Sequence, residues 1–247
     1  MNRATILDIE DKAVIFRNEN GYGADAPIPL RSLLLKKNII TIFKPLSDKL
    51  DGMAILARNN IRFLMINRKH SIGKQHFTIG HELYHLFIQE NFDSQKCNTE
   101  LFELQKDIEE RKADYFAACL LLPEKGVIQL IPNNERNTKN LISDATIFKI
   151  QHYYRVSVKA VIYRLVELGF VDKSYFETFK NDKKSIAKKL GYDMSLFEER
   201  AEDEILGNYA ELAIRLNKEK KISETQFIKL MADINIDPFE TCEDEQD

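Results

Sequence analysis

The run His81-Glu82-Leu83-Tyr84-His85 sets two imidazoles four residues apart, with a carboxylate directly after the first. On a helix, positions i and i+4 share a face, one turn apart. His81 and His85 can therefore address one ion, and neutral imidazole is a good zinc ligand at roughly 2.0–2.1 Å. Glu82 is turned by about 100° from His81. It stands outside that ligand pair but can lean over the open side of the ion. There it can take a proton from a bound water, which is the logic of an H-E-x-x-H motif.

A catalytic zinc takes three protein ligands and leaves a fourth place to water. The extended motif with a third histidine is absent, because the residues that follow Leu86 supply none at its spacing. The segment "DIEERKADYFAACLLLP" (107–123) supplies carboxylates instead. Glu110 and Asp114 are four apart and share a helix face. Glu110 could ligate the ion while Asp114 orients a histidine through its free ring nitrogen. Glu109 is the rival ligand, but its i+4 neighbour is Ala113, so the spacing prefers Glu110. The set would be His, His, Glu and water, with one zinc ion as cofactor. Tyr84, Tyr115, His152 and Tyr153 are candidates for oxyanion or substrate contacts, and the sequence does not choose among them.

These side chains need elements to hold them. In residues 74–90, Ile79, Leu83, Leu86 and Phe87 fall at helical spacing, and Asn91 is a stop signal. A second helix runs to Leu122 and ends at Pro123. Its stripe contains Ala113 and Ala117, small enough to let the two helices approach closely. Ahead of them, 30–38 reads as a helix and 39–43 as a short β-branched strand. Residues 53–67 read as two strands joined at Asn59-Asn60. "NFDSQKCN" (91–98) reads as a polar loop and 131–140 as a surface linker. Helices are expected over 144–153 and, capped by Ser157 and stopped at Gly169, over the following segment. Residues 172–235 are charged and helix-prone, and the acid-rich end reads as a frayed tail.

The expected fold class is α+β. A first domain over residues 1–135 carries the sheet and the site. A helix-turn-helix-like segment follows over 136–171, and a helical C-terminal region with its acidic tail over 172–247. The 247 residues suffice for a sizeable core, and 44% hydrophobic with 30% charged is ordinary for a soluble globular protein. A net charge of −3 provides no global field for nucleic acid or anionic membrane. Cys97, Cys119 and Cys242 lack metal-ligand spacing and suit a reducing cytoplasm, with Cys119 read as a small buried hydrophobe. The N-terminus lacks the apolar core of a signal peptide, and no apolar run is long enough to span a bilayer. These features give a cytoplasmic reading.

Two motifs in order carry a resemblance. "FTIGHELYHLF" (77–87) and "ERKADYFAACLLLP" (110–123) resemble the paired helices of the ImmA/IrrE metallopeptidases. The hairpin ending in "LMIN" and the segment 156–171 also fit, so the likeness spans about residues 20–171. The resemblance implies a zincin-like domain with a small, mainly antiparallel sheet beside the active-site helices. It implies zinc held by His81, His85 and Glu110, and Glu82 as general base. It also implies a regulatory protease that cleaves a helix-turn-helix repressor, commonly encoded nearby. This chain departs from the pattern at Tyr84, where the family often has glycine, and at His76, near which the family often has arginine.

A different class of function is a non-proteolytic zinc protein that acts by binding a partner repressor or DNA. Segment 144–169 has a helix-turn-helix outline. Its second helix offers only Lys159 and Arg164 among apolar residues, where a recognition helix needs exposed polar side chains. Packing or holding a partner is the expected role.

Overall fold

The computed structural model describes residues 1–92, 95–97, 107–178 and 183–237. The expectations for Cys242, for the side chain of Cys97 and for the acidic end of the chain lie outside the described residues. In chain order the elements begin with α1 (Arg3–Glu19), α2 (Leu30–Lys36), β1 (Ile39–Lys44), β2 (Gly52–Leu56), β3 (Arg62–Asn67) and α3 (Ile72–Phe87). They continue with β4 (Gln95–Cys97), α4 (Ile108–Leu121), α5 (Glu124–Leu130), α6 (Asn133–Arg136), α7 (Asp144–Tyr154) and α8 (Val158–Glu167). The last are α9 (Tyr175–Thr178), α10 (Lys183–Lys189), β5 (Glu204–Leu206), α11 (Tyr209–Lys218) and α12 (Glu224–Ala232).

The sheet has the order β4-β2-β3-β1-β5. The expected hairpin is present: β2 and β3 pair antiparallel, from Gly52 opposite Ile66 to Leu56 opposite Arg62. β1 lies parallel to β3, with Ile39 opposite Arg62 and Lys44 opposite Asn67. The outer pairings, β2 with β4 and β1 with β5, are antiparallel, so the sheet is mainly antiparallel. The architecture is α+β, with helices predominating outside this sheet.

Helix α3 packs against β2, β3 and α4. Its Leu83, Leu86 and Ile79 are buried, and each such side chain contributes about 1.5–3 kcal/mol on leaving water. The two helices meet at small residues. A Cβ at Gly80 would stand 3.3 Å from Ala117 Cβ and 2.9 Å from Leu121 Cδ1, so glycine permits this approach. Ala113 and Ala117 are fully buried, as the alanine stripe suggests. Cys119 is a buried free thiol whose titration burial pushes up to about 11. Among the described residues no helix is long and apolar enough to cross a membrane.

The structure departs from the sequence reading at four places. Residues 3–19, given no element, form α1, which presents Ile9, Ala13 and Phe16 to the core. Its exposed Leu7, Val14 and Ile15 blur that periodicity in the sequence. Residues 95–97, expected in a loop, form β4; a strand held by backbone pairing alone need show no apolar alternation. The expected linker contains α6, and Glu135 there accepts from Ser143 N at 3.0 Å and Ser143 Oγ at 2.8 Å, bracing the start of α7. The C-terminal region, read as helical throughout, contributes β5 to the sheet. In α8, Arg164 is buried and its Nε donates to the Leu122 carbonyl at 3.0 Å, so this helix packs inward.

Candidate metal centre

Helix α3 carries His81 and His85 on one turn-spaced face, and α4 brings Glu110 and Asp114 against them. Asp107 caps α4 by accepting from Glu109 N at 2.8 Å. Glu110 therefore sits in the first turn, where the helix dipole favours a carboxylate. All five polar residues of the predicted site are shielded from water: His81 and Glu82 are 0% exposed, His85 1%, Asp114 4% and Glu110 9%.

Ligand atoms of three side chains converge. His81 Nε2 and His85 Nε2 are 3.1 Å apart. Glu110 Oε2 is 3.2 Å from the first and Oε1 is 3.4 Å from the second. Atoms bound at 2.0–2.1 Å around one tetrahedral ion stand ~3.3 Å from each other. The three separations are of that size, with Glu110 reaching one histidine through each carboxylate oxygen. The other ring nitrogens face outward: His81 Nδ1 lies 2.8 Å from Asp114 Oδ1, and His85 Nδ1 lies 2.5 Å from Gln89 Oε1. A carboxylate only accepts, so His81 donates at Nδ1 and presents Nε2 to the shared point. The Glu82, Glu110 and Asp114 carboxylates surround the two imidazoles in a buried space, an excess of negative charge that a divalent cation balances. The nitrogen-nitrogen-oxygen donor set thus fits a metal ion of the zinc type.

Electrostatics follow from this crowding. Burial pulls the His81 titration down, but the Asp114 and Glu110 bonds and the Glu82 charge carry it up to about 9. Burial would raise the Glu110 carboxyl, yet His81 and His85 hold it well below the usual carboxylate range.

Glu82 is set by β2. A Cβ at Gly52 would stand 3.0 Å from Glu82 Oε1 and 2.7 Å from Thr78 Cγ2, so the strand backbone lies directly against this carboxylate. The loop leading into β2 is fixed by Asn67. Its Nδ2 donates to the Leu50 carbonyl at 2.9 Å and its Oδ1 accepts from Leu46 N at 3.1 Å. Asp51, beside Gly52, holds Lys74 at 2.6 Å and His70 at 2.7 Å.

The remaining predicted residues lie in other settings. Tyr84 is buried and donates to Glu109 Oε2 at 2.8 Å, while Lys112 pairs with Glu109 Oε1 at 2.6 Å. Glu109 is thereby directed to these partners, and Glu110 is the carboxylate that meets the histidines. The Tyr84 ring stands edge-on to His85, with centroids 5.6 Å apart. Tyr115 donates to Glu10 Oε1 on α1 at 2.5 Å, so its hydroxyl serves that joint. His152 has both ring nitrogens on backbone carbonyls, of Phe148 at 2.9 Å and Asp193 at 2.8 Å. Tyr153 is exposed and stacks edge-on with Tyr154. The structure does not gather Tyr115, His152 and Tyr153 with the histidine pair, because these contacts occupy or direct them elsewhere.

Sequence reasoning missed Gln89, Gly52 and Phe92, whose ring stacks on His85 at 5.5 Å. Gln89 was within reach of it, since it follows His85 by four residues.

Residues 36–166, just over half of the chain, match the peptidase family described as the IrrE N-terminal-like domain. The chain belongs to the IrrE N-terminal-like peptidase family. No curated protein matches it. The IrrE-like segment runs from the end of α2 into α8, and it includes both histidines, Glu82, Glu110 and Asp114. The likeness read from the two motifs is thus confirmed at the level of the family, over somewhat narrower bounds. Membership makes this a peptidase-type domain with a buried group that could hold a metal.

Proposed function

We propose that the protein is a zinc-dependent endopeptidase that cleaves a helix-turn-helix transcriptional repressor. The observation that carries this reading is the convergence of His81, His85 and Glu110 at tetrahedral spacing, with the buried Glu82 next to His81. His81, His85 and Glu110 would hold the zinc, while Asp114 and Gln89 fix the two imidazole rings. Bound there, zinc supplies Lewis acidity to the peptide carbonyl and lowers the pKa of water towards 7. Glu82 takes the proton of the attacking water and returns it to the leaving nitrogen. The water-poor surroundings strengthen each of these interactions. The choice of a repressor as substrate rests on the family likeness of the two helical motifs.

The test is Glu82→Gln in the full chain, with a purified helix-turn-helix repressor as substrate. The variant should keep one zinc per chain by elemental analysis and lose cleavage by at least about a hundredfold. Cleavage at the normal rate sinks Glu82 as the base. Absence of cleavage by the zinc-loaded normal protein favours a zinc protein that acts by contact alone.

A further inference from the structure

Nine residues at about 100° each put His76 half a turn around α3 from His85. That back face of the helix walls a half-open cavity of about 410 Å³, lined also by α2, β1, β5 and the end of α7. Volumes of a few hundred Å³ are those of small-molecule sites.

The cavity is two-sided in chemistry. Ile28, Leu34, Phe43 and Ile79 give it an apolar floor, and Arg31, His76, Arg155 and Arg200 a polar rim. Arg31 and Arg200 both bond to one carboxylate, Glu204, with Arg200 Nη1 at 2.7 Å from it. Arg155 adds a third guanidinium. Asp193 feels its charge but bonds to Ser195 instead, and Arg155 forms no ion pair among the described residues. Three guanidiniums against one paired carboxylate leave the rim with an excess of positive charge. His76 lies beside Arg155. Its Nδ1 donates to the Arg155 carbonyl at 2.7 Å, yet burial and the Arg155 and Arg200 charges hold its titration down to about 4. The ring is therefore neutral near pH 7, with Nε2 as an acceptor. Arg200 also lies over the Phe43 ring at 4.0 Å, so a cationic edge and an apolar floor meet at one point.

We infer that this cavity binds a small amphipathic carboxylate, its head on Arg155 and Arg200 and its apolar body over Phe43, Leu34 and Ile79. A charge-assisted bond from Arg155, with the Arg200 charge beside it, suits the head, and burial of methylenes supplies the remainder. Inorganic phosphate would engage the rim but leave the floor uncovered. The site is separate from the metal ligands and does not depend on the proposed proteolysis.

The experiment is calorimetric titration of the full chain with octanoate, octanamide, acetate and inorganic phosphate. Octanoate should bind saturably, one per chain, and octanamide and acetate at least about tenfold more weakly. Arg155→Gln, at an exposed position, should fold normally and weaken octanoate about fivefold or more. In a labelled complex, octanoate methylenes should show cross-relaxation with the Phe43 ring. Equal affinity for octanamide, tighter binding of phosphate than of octanoate, unchanged affinity in Arg155→Gln, or no saturable octanoate binding would each overturn the inference.

Discussion

Asp114 Oδ1 lies 2.8 Å from His81 Nδ1, so a carboxylate on α4 sets which nitrogen of a ring on α3 faces Glu110. Replacing Asp114 by Asn removes the charge and lets the amide present its NH₂ group to the ring. Metal affinity should fall about 10–100-fold, as for other partners of metal-bound histidines. Competition with a chromophoric chelator measures it. An affinity equal to that of the normal protein would show that Asp114 does not position the ring.

The pH behaviour of the metal-free protein follows from the same pair. His81 titrates at about 9 rather than its ordinary 6.5, so it is protonated at pH 7 when no metal is bound. Loading the metal should then expel about one proton from this ring at neutral pH. Calorimetry in two buffers of different ionisation enthalpy reads that number directly. A raised histidine contributes stability that is complete below pH 6.5 and lost as pH rises through about 9. Glu110 is shifted the other way, so its contribution is present above its ordinary 4.5 and fades on acidification. Metal-free protein should therefore lose unfolding free energy on both sides of a window between about pH 4.5 and 6.5, as urea titrations at several pH values would reveal. A stability that climbs from pH 7 to 9 contradicts this.

Gly52 has no room for a side chain. Its Cβ would meet Thr78 at 2.7 Å, Glu82 at 3.0 Å and the Met65 carbonyl oxygen at 3.2 Å. Gly52→Ala should cost about 1–3 kcal/mol of stability, the usual range for overpacking. It should also lower peptidase turnover by displacing the Glu82 carboxylate. Denaturant unfolding with a turnover assay checks both, and an unperturbed variant would mean that β2 yields easily here.

Tyr84 fills the space between His85 and Phe116. Burial and the neighbouring Glu109 raise its titration, so the hydroxyl stays a donor across the physiological range. Tyr84→Phe should lose about 0.5–1.5 kcal/mol, the worth of one hydrogen bond. Tyr84→Gly should lose about 3–5 kcal/mol through the cavity it opens. Thermal unfolding separates the two, and equal losses would argue that the ring contributes nothing by packing.

The helical face of the site was legible because its spacing is local: His81 to His85 and Glu110 to Asp114 each span one helical turn. The hairpin was legible from Asn59-Asn60 ahead of an alternating strand. Contacts decided by a distant partner were not. Nothing near Gly52 in the chain announces that Glu82 will lie against it. β4 and β5 are three residues each and owe their form to the strands beside them. Tyr115 looked available beside Asp114, but its hydroxyl is taken by Glu10, 105 residues earlier. α1 escaped notice because several of its apolar side chains face solvent, which flattens the pattern that marks an amphipathic helix.

The pairing of β5 with β1 has a practical corollary. A fragment trimmed to the family match, residues 36–166, would begin after most of α2 and would lack both α1 and β5. Arg17 on α1 donates to the Leu120 carbonyl at 2.5 Å, so its removal strips a donor from the end of α4. Loss of β5 turns β1 into a bare rim of N–H and C=O groups, a template on which neighbouring molecules can add strands. A piece that keeps His81, His85 and Glu110 together with these supports therefore extends well past the family boundaries, towards the start of the chain and through Leu206.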